Sequence, residues 1–237
     1  MNVVVWNEFF HEKEKENVRA IYPEGIHKCI ADFLKCDDLN ITLASLYDPE
    51  CGLTQEVVDN TDVLIWWGHA KHGEVPDEVA VRVKEAVLSG MGFIALHSAH
   101  HSKPFKLLMG TSCHLGWRED GDWERIWVTK PSHPIVQGIG NYFDLPGEEV
   151  YAEPFGIPEA DELIMIGTYE GTEVFRSGCC WFRGHGKVFY FQPGHETFPT
   201  FHNPTVQTII KNAVRWVAPT FREPLVCPHI TKTEKIR

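Results

Sequence analysis

No apolar stretch in the 237 residues approaches the roughly 18 that a membrane span needs, so no membrane-crossing helix and no membrane partner are expected. The amino terminus runs straight into Val3-Val4-Val5-Trp6 without a basic region or a cleavage site, which reads as a chain that is not exported and works in the cytoplasm. The seven cysteines (Cys29, Cys36, Cys51, Cys113, Cys179, Cys180 and Cys227) are odd in number and form no C-x-x-C pair. That speaks against a disulfide framework or a thiolate zinc knuckle and fits reduced thiols. A formal charge of -11 without a Lys/Arg cluster offers no stripe of cations to displace counterions, so nucleic acid is not an expected partner. Internal repeats and low-complexity segments are missing, and nothing indicates a nucleotide cofactor.

What is present is ordinary globular composition, 43% hydrophobic and 23% charged, in a length that fits one large domain better than two small ones. We read residues 1–218 as a single α/β domain and 219–237, with its prolines and charged end, as a peripheral tail. Val3–Trp6 is a short apolar run, and Asn17–Leu34 carries Val18, Ile21, Ile26, Ile30, Phe33 and Leu34 on a helical period. Ile41–Leu46 and Asp62–Trp67 read as strands, with a short turn of helix between them. Pro76 opens a helix through Leu88 and Gly90 closes it before the strand Gly92–Leu96. Continuous apolar strands separated by helices require a parallel sheet covered on both faces. From Gly110 to Gly186 shorter strands such as Arg125–Thr129 and Leu163–Thr168, with more Pro and Gly, predict a meandering β-rich insertion. Lys187–Phe191 returns to a buried strand, and Asn203-Pro204 caps a helix reaching Val217.

The anomaly is histidine, thirteen of them. In a doubly wound sheet ligands bind beyond the carboxyl ends of the strands, and three histidines fall there: His69, His97 and His195, with Asn7 and Glu8 after the first strand. Imidazoles at 69, 97 or 101, and 195, joined by a carboxylate such as Glu149 or Glu8, make a mixed set able to hold a divalent ion, zinc foremost, and to activate water. His97 and His101 are spaced i, i+4, without the Glu of H-E-x-x-H. The alternative for each of these histidines is a hydrogen-bonded structural role. His100, His114, His133, His185 and His202 follow no predicted strand and are read as structural or surface residues, although His114 can reach the crevice from a loop. Ala95–His101 passes from strand to helix through small residues, a turn of the kind that carries nucleophiles, but it is not G-x-S-x-G. Trp66 is read as core; Cys113, Cys179 and Cys180 as buried hydrophobes; and the acidic run Glu12–Glu16 as a solvated loop.

Several segments together resemble the trehalose-utilisation ThuA-like family, whose fold is similar to class I glutamine amidotransferases: Val3–Glu8, Gly92–His97, Gly147-Glu148-Glu149-Val150-Tyr151, Gly186–Phe191 and Gly194-His195-Glu196. The resemblance implies a flavodoxin-like sheet. Where the amidotransferases carry a cysteine on the elbow, this chain has His97-Ser98, so the resemblance does not extend to thioester chemistry. It implies a carbohydrate substrate, trehalose or a related disaccharide or keto-sugar. The expected chemistry is metal-assisted hydrolysis, proton transfer or isomerisation, with His97, His195 and Glu149 catalytic and His69, His97, His101 and His195 as metal ligands. Asn7, Glu8, Ser98, Trp117 and Tyr151 are the expected substrate-binding residues. Two alternatives stand beside this: a non-catalytic sugar-binding or regulatory protein, and a hydrolase using Ser98 with His195. A symmetric homo-oligomer is expected for a cytosolic α/β protein of this size.

Overall fold

The structure is a computed structural model in which residues 1–234 are described. Its centre is set by strands whose every side chain is apolar and buried. In β3 (Val63–Trp67) and β4 (Gly92–Leu96) no residue meets water, which requires strand neighbours on both sides and helices above and below. Both are provided. The first strand β1 (Asn2–Asn7) pairs in parallel with β2 (Asn40–Ser45) and β3, β3 pairs with β4, and β4 pairs with β9 (Gly186–Phe191), which returns from far along the chain.

Alternate residues of these strands face opposite cores. Val3, Val5, Ile65, Ile94 and Phe189 pack under α2 (Glu16–Ile21), α3 (Ile26–Leu34) and α7 (Pro204–Val217). Val4, Leu64, Trp66, Phe93 and Tyr190 pack under α4 (Gln55–Asp59), α5 (Asp77–Leu88) and α6 (Lys103–Met109). Trp66 is core, as its position within a strand requires. The helix α7 starts where Asn203 accepts from the amides of Thr205 and Val206, at 2.8 and 3.4 Å, with Pro204 in its first turn.

The segment expected as a meandering insertion continues the same sheet. Strands β5 (Gly116–Val128), β6 (Tyr142–Ala152), β7 (Glu162–Tyr169) and β8 (Val174–Arg183) are antiparallel, and the full order is β2-β1-β3-β4-β9-β8-β7-β5-β6. The protein is thus mixed α/β with one large parallel and antiparallel sheet. The β5–β6 ladder is broken by register shifts between Arg118 and Asp122 and between Asp122 and Glu124, and bulged strands bend.

Three local expectations need correction. The helical period from Asn17 to Leu34 covers two helices, because Pro23 breaks the hydrogen-bond ladder and Gly25, at φ +94°, turns the chain. Glu12–Glu16 is no solvated loop. Residues His11–Glu14 form the short helix α1, and Glu12 is buried, accepting the Asn7 side-chain amide at 2.7 Å and the Ile26 amide that opens α3 at 3.0 Å. The predicted strand Arg125–Thr129 is the end of a thirteen-residue strand that stops at Val128.

The start of the tail is tied down: Arg222 donates to the Thr61 carbonyl at 2.7 Å and the Glu223 amide to the Ser89 carbonyl at 3.0 Å. Residues 224–234 are exposed, and the last three residues of the expected tail lie outside the described residues. Gly90 closes α5 at φ +125°, and a Cβ there would stand 2.1 Å from the Phe221 carbonyl oxygen. Gly90→Ala is therefore expected to lose more than about 1 kcal/mol in a urea unfolding titration, through both the strained φ and the displaced tail.

Candidate functional site

Because β3, β4 and β9 are neighbours, the residues that follow them emerge side by side at one end of the sheet. His69, His97 and His195 stand there, with ring centroids 4.9 to 5.5 Å apart. Glu149 joins them from β6, at the far edge of the sheet, and one ligand atom from each of the four groups lies within 4.8 Å of the others. His97, Glu149 and His195 are buried, and His69 is partly exposed.

Each group is held from behind. His97 takes the left-handed conformation, φ +52°, a strained geometry for a side chain that projects it sharply from the end of β4. Its Nδ1–H donates to the Gln192 carbonyl at 2.8 Å, and its Nε2 lies 2.9 Å from Glu149 Oε2 and 3.3 Å from the Tyr151 hydroxyl. His69 donates from Nδ1 to Glu196 Oε2 at 2.6 Å. His195 Nδ1 meets the Thr197 hydroxyl at 2.8 Å and accepts the Thr197 amide at 3.3 Å.

Two buried carboxylates fix the loops. Glu8 accepts the amides of His69, Ala70 and Lys71 at 2.8 to 3.0 Å, pinning the turn after β3. Glu148 accepts the amides of Gly194 and His195, each at 3.0 Å, and the Thr200 hydroxyl at 2.8 Å, pinning the turn after β9. Charge-assisted bonds of this kind contribute about 1.5–3 kcal/mol each.

Burial and neighbours set the charges. Burial pushes His195 down to about 3 and His11 down to about 4, so both are neutral near pH 7. Burial opposes the Glu196 carboxylate, but the hydrogen bond from His69 and the charges around it win and lower its pKa. Burial likewise opposes charge on both members of the His97–Glu149 pair, and their contact outweighs it: His97 is raised and Glu149 lowered.

A cleft of about 320 Å³ opens beside this cluster, lined by His69, His101, His114, Trp117, Glu149 and Tyr151 among others. Trp117 is 66% exposed at its rim. Ser98 Oγ and the Tyr151 hydroxyl share a 2.5 Å hydrogen bond on its wall. A larger groove of about 830 Å³ runs between α4, α5 and the tail, and none of these groups lines it.

The sequence-predicted residues divide accordingly. His69, His97, His195 and Glu149 are brought together; Ser98, Tyr151 and Trp117 border the same cleft. His101 lines the cleft but stands with His114, ring centroids 5.0 Å apart, outside the four-group set. Asn7 and Glu8 are buried behind the site: Asn7 holds Glu12, His27 and the Phe9 amide, and Glu8 spends its oxygens on backbone amides. His100 is buried with its Nδ1 on the Cys113 carbonyl, and both it and His114 line the cleft. Two further residues, Glu196 and Glu148, belong to the site although the sequence offers them only as members of longer segments. Glu196 orients His69, and its second oxygen lies 3.2 Å from Lys15 Nζ and 3.5 Å from His11 Nδ1. No spacing in the sequence links the two carboxylates to their partners, 127 and 46 residues away for His69–Glu196 and Gly194–Glu148.

An α/β fold carrying a histidine–carboxylate cluster beyond the carboxyl ends of β3, β4 and β9 defines the class of protein. The chain belongs to the ThuA family, described as trehalose utilisation, which matches residues 2–217. Among solved structures it is similar to a ThuA-like protein of Bacteroides uniformis (15% identity, TM-score 0.67, covering 92% of this chain and 91% of the other). It is also similar to a cytoplasmic protein of Salmonella typhimurium (12%, TM-score 0.62, 93% and 100%). A third is a Thermoplasma acidophilum protein described as part of a GMP synthase (12%, TM-score 0.50, 91% and 92%). At such identities the likeness concerns the fold, and it fits a glutamine-amidotransferase-like one. No curated protein matches the sequence. Among the described residues no helix is long and apolar enough to cross a membrane.

Beneath the site Glu124 is fully buried, with the Gln192 amide against its oxygens and Ser177 Oγ at 3.4 Å. Burial, then the charge of Glu148, raises its pKa well above the usual carboxylate range. A raised folded-state pKa means that the protonated form's stability is intact below the unfolded value and is lost as pH rises through the folded one. Glu124→Gln, neutral at every pH, is expected to melt higher than the parent at pH 8, with the gap closing toward pH 5, in thermal unfolding followed by circular dichroism.

Proposed function

We propose that this protein is a histidine-dependent, metal-assisted enzyme of carbohydrate utilisation, acting on trehalose or a related disaccharide or keto-sugar, and without glutamine amidotransferase activity. The observation that carries the reading is the four-group cluster: three imidazoles and a carboxylate whose ligand atoms lie within 4.8 Å of one another. The donor set fits a divalent ion such as zinc. Glu149 Oε2 is buried, and its 2.9 Å contact with His97 Nε2 is not an aligned hydrogen bond, which leaves both atoms able to turn to a cation. Such an ion would supply Lewis acidity, polarising a sugar oxygen or lowering the pKa of water.

The rest of the work belongs to the chain. Gln192 and Glu196 fix the His97 and His69 rings by accepting their Nδ1–H groups, which leaves each Nε2 for the site. Ser98 and Tyr151 present hydroxyls to a substrate's own hydroxyls, and Trp117 offers an apolar face at the rim on which a sugar ring can stack. His97 occupies the strained elbow position, and no cysteine is among the residues that line the cleft, which supports chemistry other than a thioester route. We read the five parallel strands as a flavodoxin-like doubly wound frame, consistent with this placement of the site. The family description supports the carbohydrate class, and the Salmonella relative's cytoplasmic description supports a cytoplasmic location.

The test is elemental mass spectrometry of the purified protein together with turnover of trehalose and an oxidised keto derivative of it, before and after chelation. Near-stoichiometric zinc or another divalent metal is expected, with chelation reducing turnover at least tenfold and metal restoring it. Full turnover in protein free of metal would refute metal assistance. Metal-free protein that binds these sugars without converting them would replace the enzyme by a binding protein.

A further inference from the structure

The four groups of the cluster differ in which nitrogen is free. His69 and His97 each spend Nδ1–H on an acceptor, the ionised Glu196 and the Gln192 carbonyl, so in the neutral ring the lone pair lies on Nε2. His195 is the reverse. Its Nδ1 faces the Thr197 amide N–H at 3.3 Å, which can only donate, and the Thr197 hydroxyl at 2.8 Å, which can donate as well, and a ring nitrogen that accepts cannot carry a proton. The proton of neutral His195 is then on Nε2, and that edge faces carboxylates: Glu196 Oε2 at 3.6 Å and Glu119 Oε1 at 3.7 Å. The donor behind the ring, the Thr197 amide, sets this tautomer, and acidic oxygens near its front edge suit an Nε2–H.

Resting on the metal-assisted reading above, we propose that the centre has three protein ligands, His69, His97 and Glu149, and that His195 is not a ligand but a hydrogen-bond donor to the substrate through Nε2–H. Two imidazoles and one carboxylate would hold a divalent ion with fewer protein ligands than a four-ligand cage, and would so leave it able to take substrate oxygens. His195 stands beside these groups, its ring 4.9 Å from His69 and 5.4 Å from His97. Thr197 is the positioning residue for it, as Glu196 is for His69 and Gln192 for His97.

The experiment uses the full chain and zinc or manganese alone as probes. Metal uptake is measured for His69→Ala, Glu149→Gln, His195→Ala and His195→Gln. The tautomer of His195 is read independently in the wild-type protein, with and without metal, by two-bond nitrogen–proton NMR of labelled histidine. The expected result is at least a tenfold weaker metal affinity for His69→Ala and Glu149→Gln, and a change under threefold for both His195 variants. His195→Gln, which keeps a donor, is expected to recover part of the sugar turnover lost in His195→Ala. The expected NMR signature is Nε2–H in both states. Equal loss of metal in the His195 variants, or an Nδ1–H signature once metal is bound, would overturn the three-ligand assignment while leaving metal assistance intact. Wild-type protein that takes up neither metal would instead overturn the proposed function, and the ligand assignment with it.

Discussion

The geometry of the site depends on Glu148. Its carboxylate is buried, and it accepts the backbone amides of Gly194 and His195 and the hydroxyl of Thr200. A buried carboxylate without such donors would be strongly unfavourable, so the turn after β9 and the strand β6 must meet wherever this residue is inside. That requirement joins the last-paired edge of the sheet to its centre. It also fixes the neighbours of Glu148 on the strand: Glu149 reaches the three histidines, and Tyr151 reaches Ser98 and His97.

Glu8 does the same work on the other side. Three consecutive amides after β3 converge on its oxygens, which places His69 at a defined height above the sheet. Together the two carboxylates hold the histidine-bearing turns by their backbones, leaving the imidazoles to be oriented separately by Glu196, Gln192 and Thr197. A centre built in this way is preorganised: the backbone is set by one group of bonds and the ring tautomers by another. The same low-dielectric surroundings keep His195 and His11 neutral.

Much of the fold is legible in the residues. The apolar runs at Val63–Trp67 and Gly92–Leu96, the Gly90 stop and the Asn203-Pro204 start each carry a local physical reason, and each appears where that reason puts it. Elements depart from expectation where a local signal competes with a distant one. The Asn17–Leu34 period hides a break at Pro23 and Gly25, and the charged run at Glu12–Glu16 hides a buried residue whose partners are Asn7 and the start of α3. For the site, the rule that ligands gather at strand carboxyl ends selects His69, His97 and His195 because a strand end is a local feature. It also selects Asn7 and Glu8, which share that feature but point their polar atoms inward.

The alternation of buried strands and helices, the lack of a cysteine at the elbow and the supply of histidines at strand ends are thus written in the chain itself. Folding in three dimensions was needed to set β9 beside β4, to make Glu149 rather than His101 complete the cluster, and to choose which nitrogen each imidazole presents. The physical reason is that periodicity and turn chemistry act over a few residues. Strand neighbours and hydrogen-bond partners are instead chosen by long-range burial, which must satisfy every enclosed polar group at once.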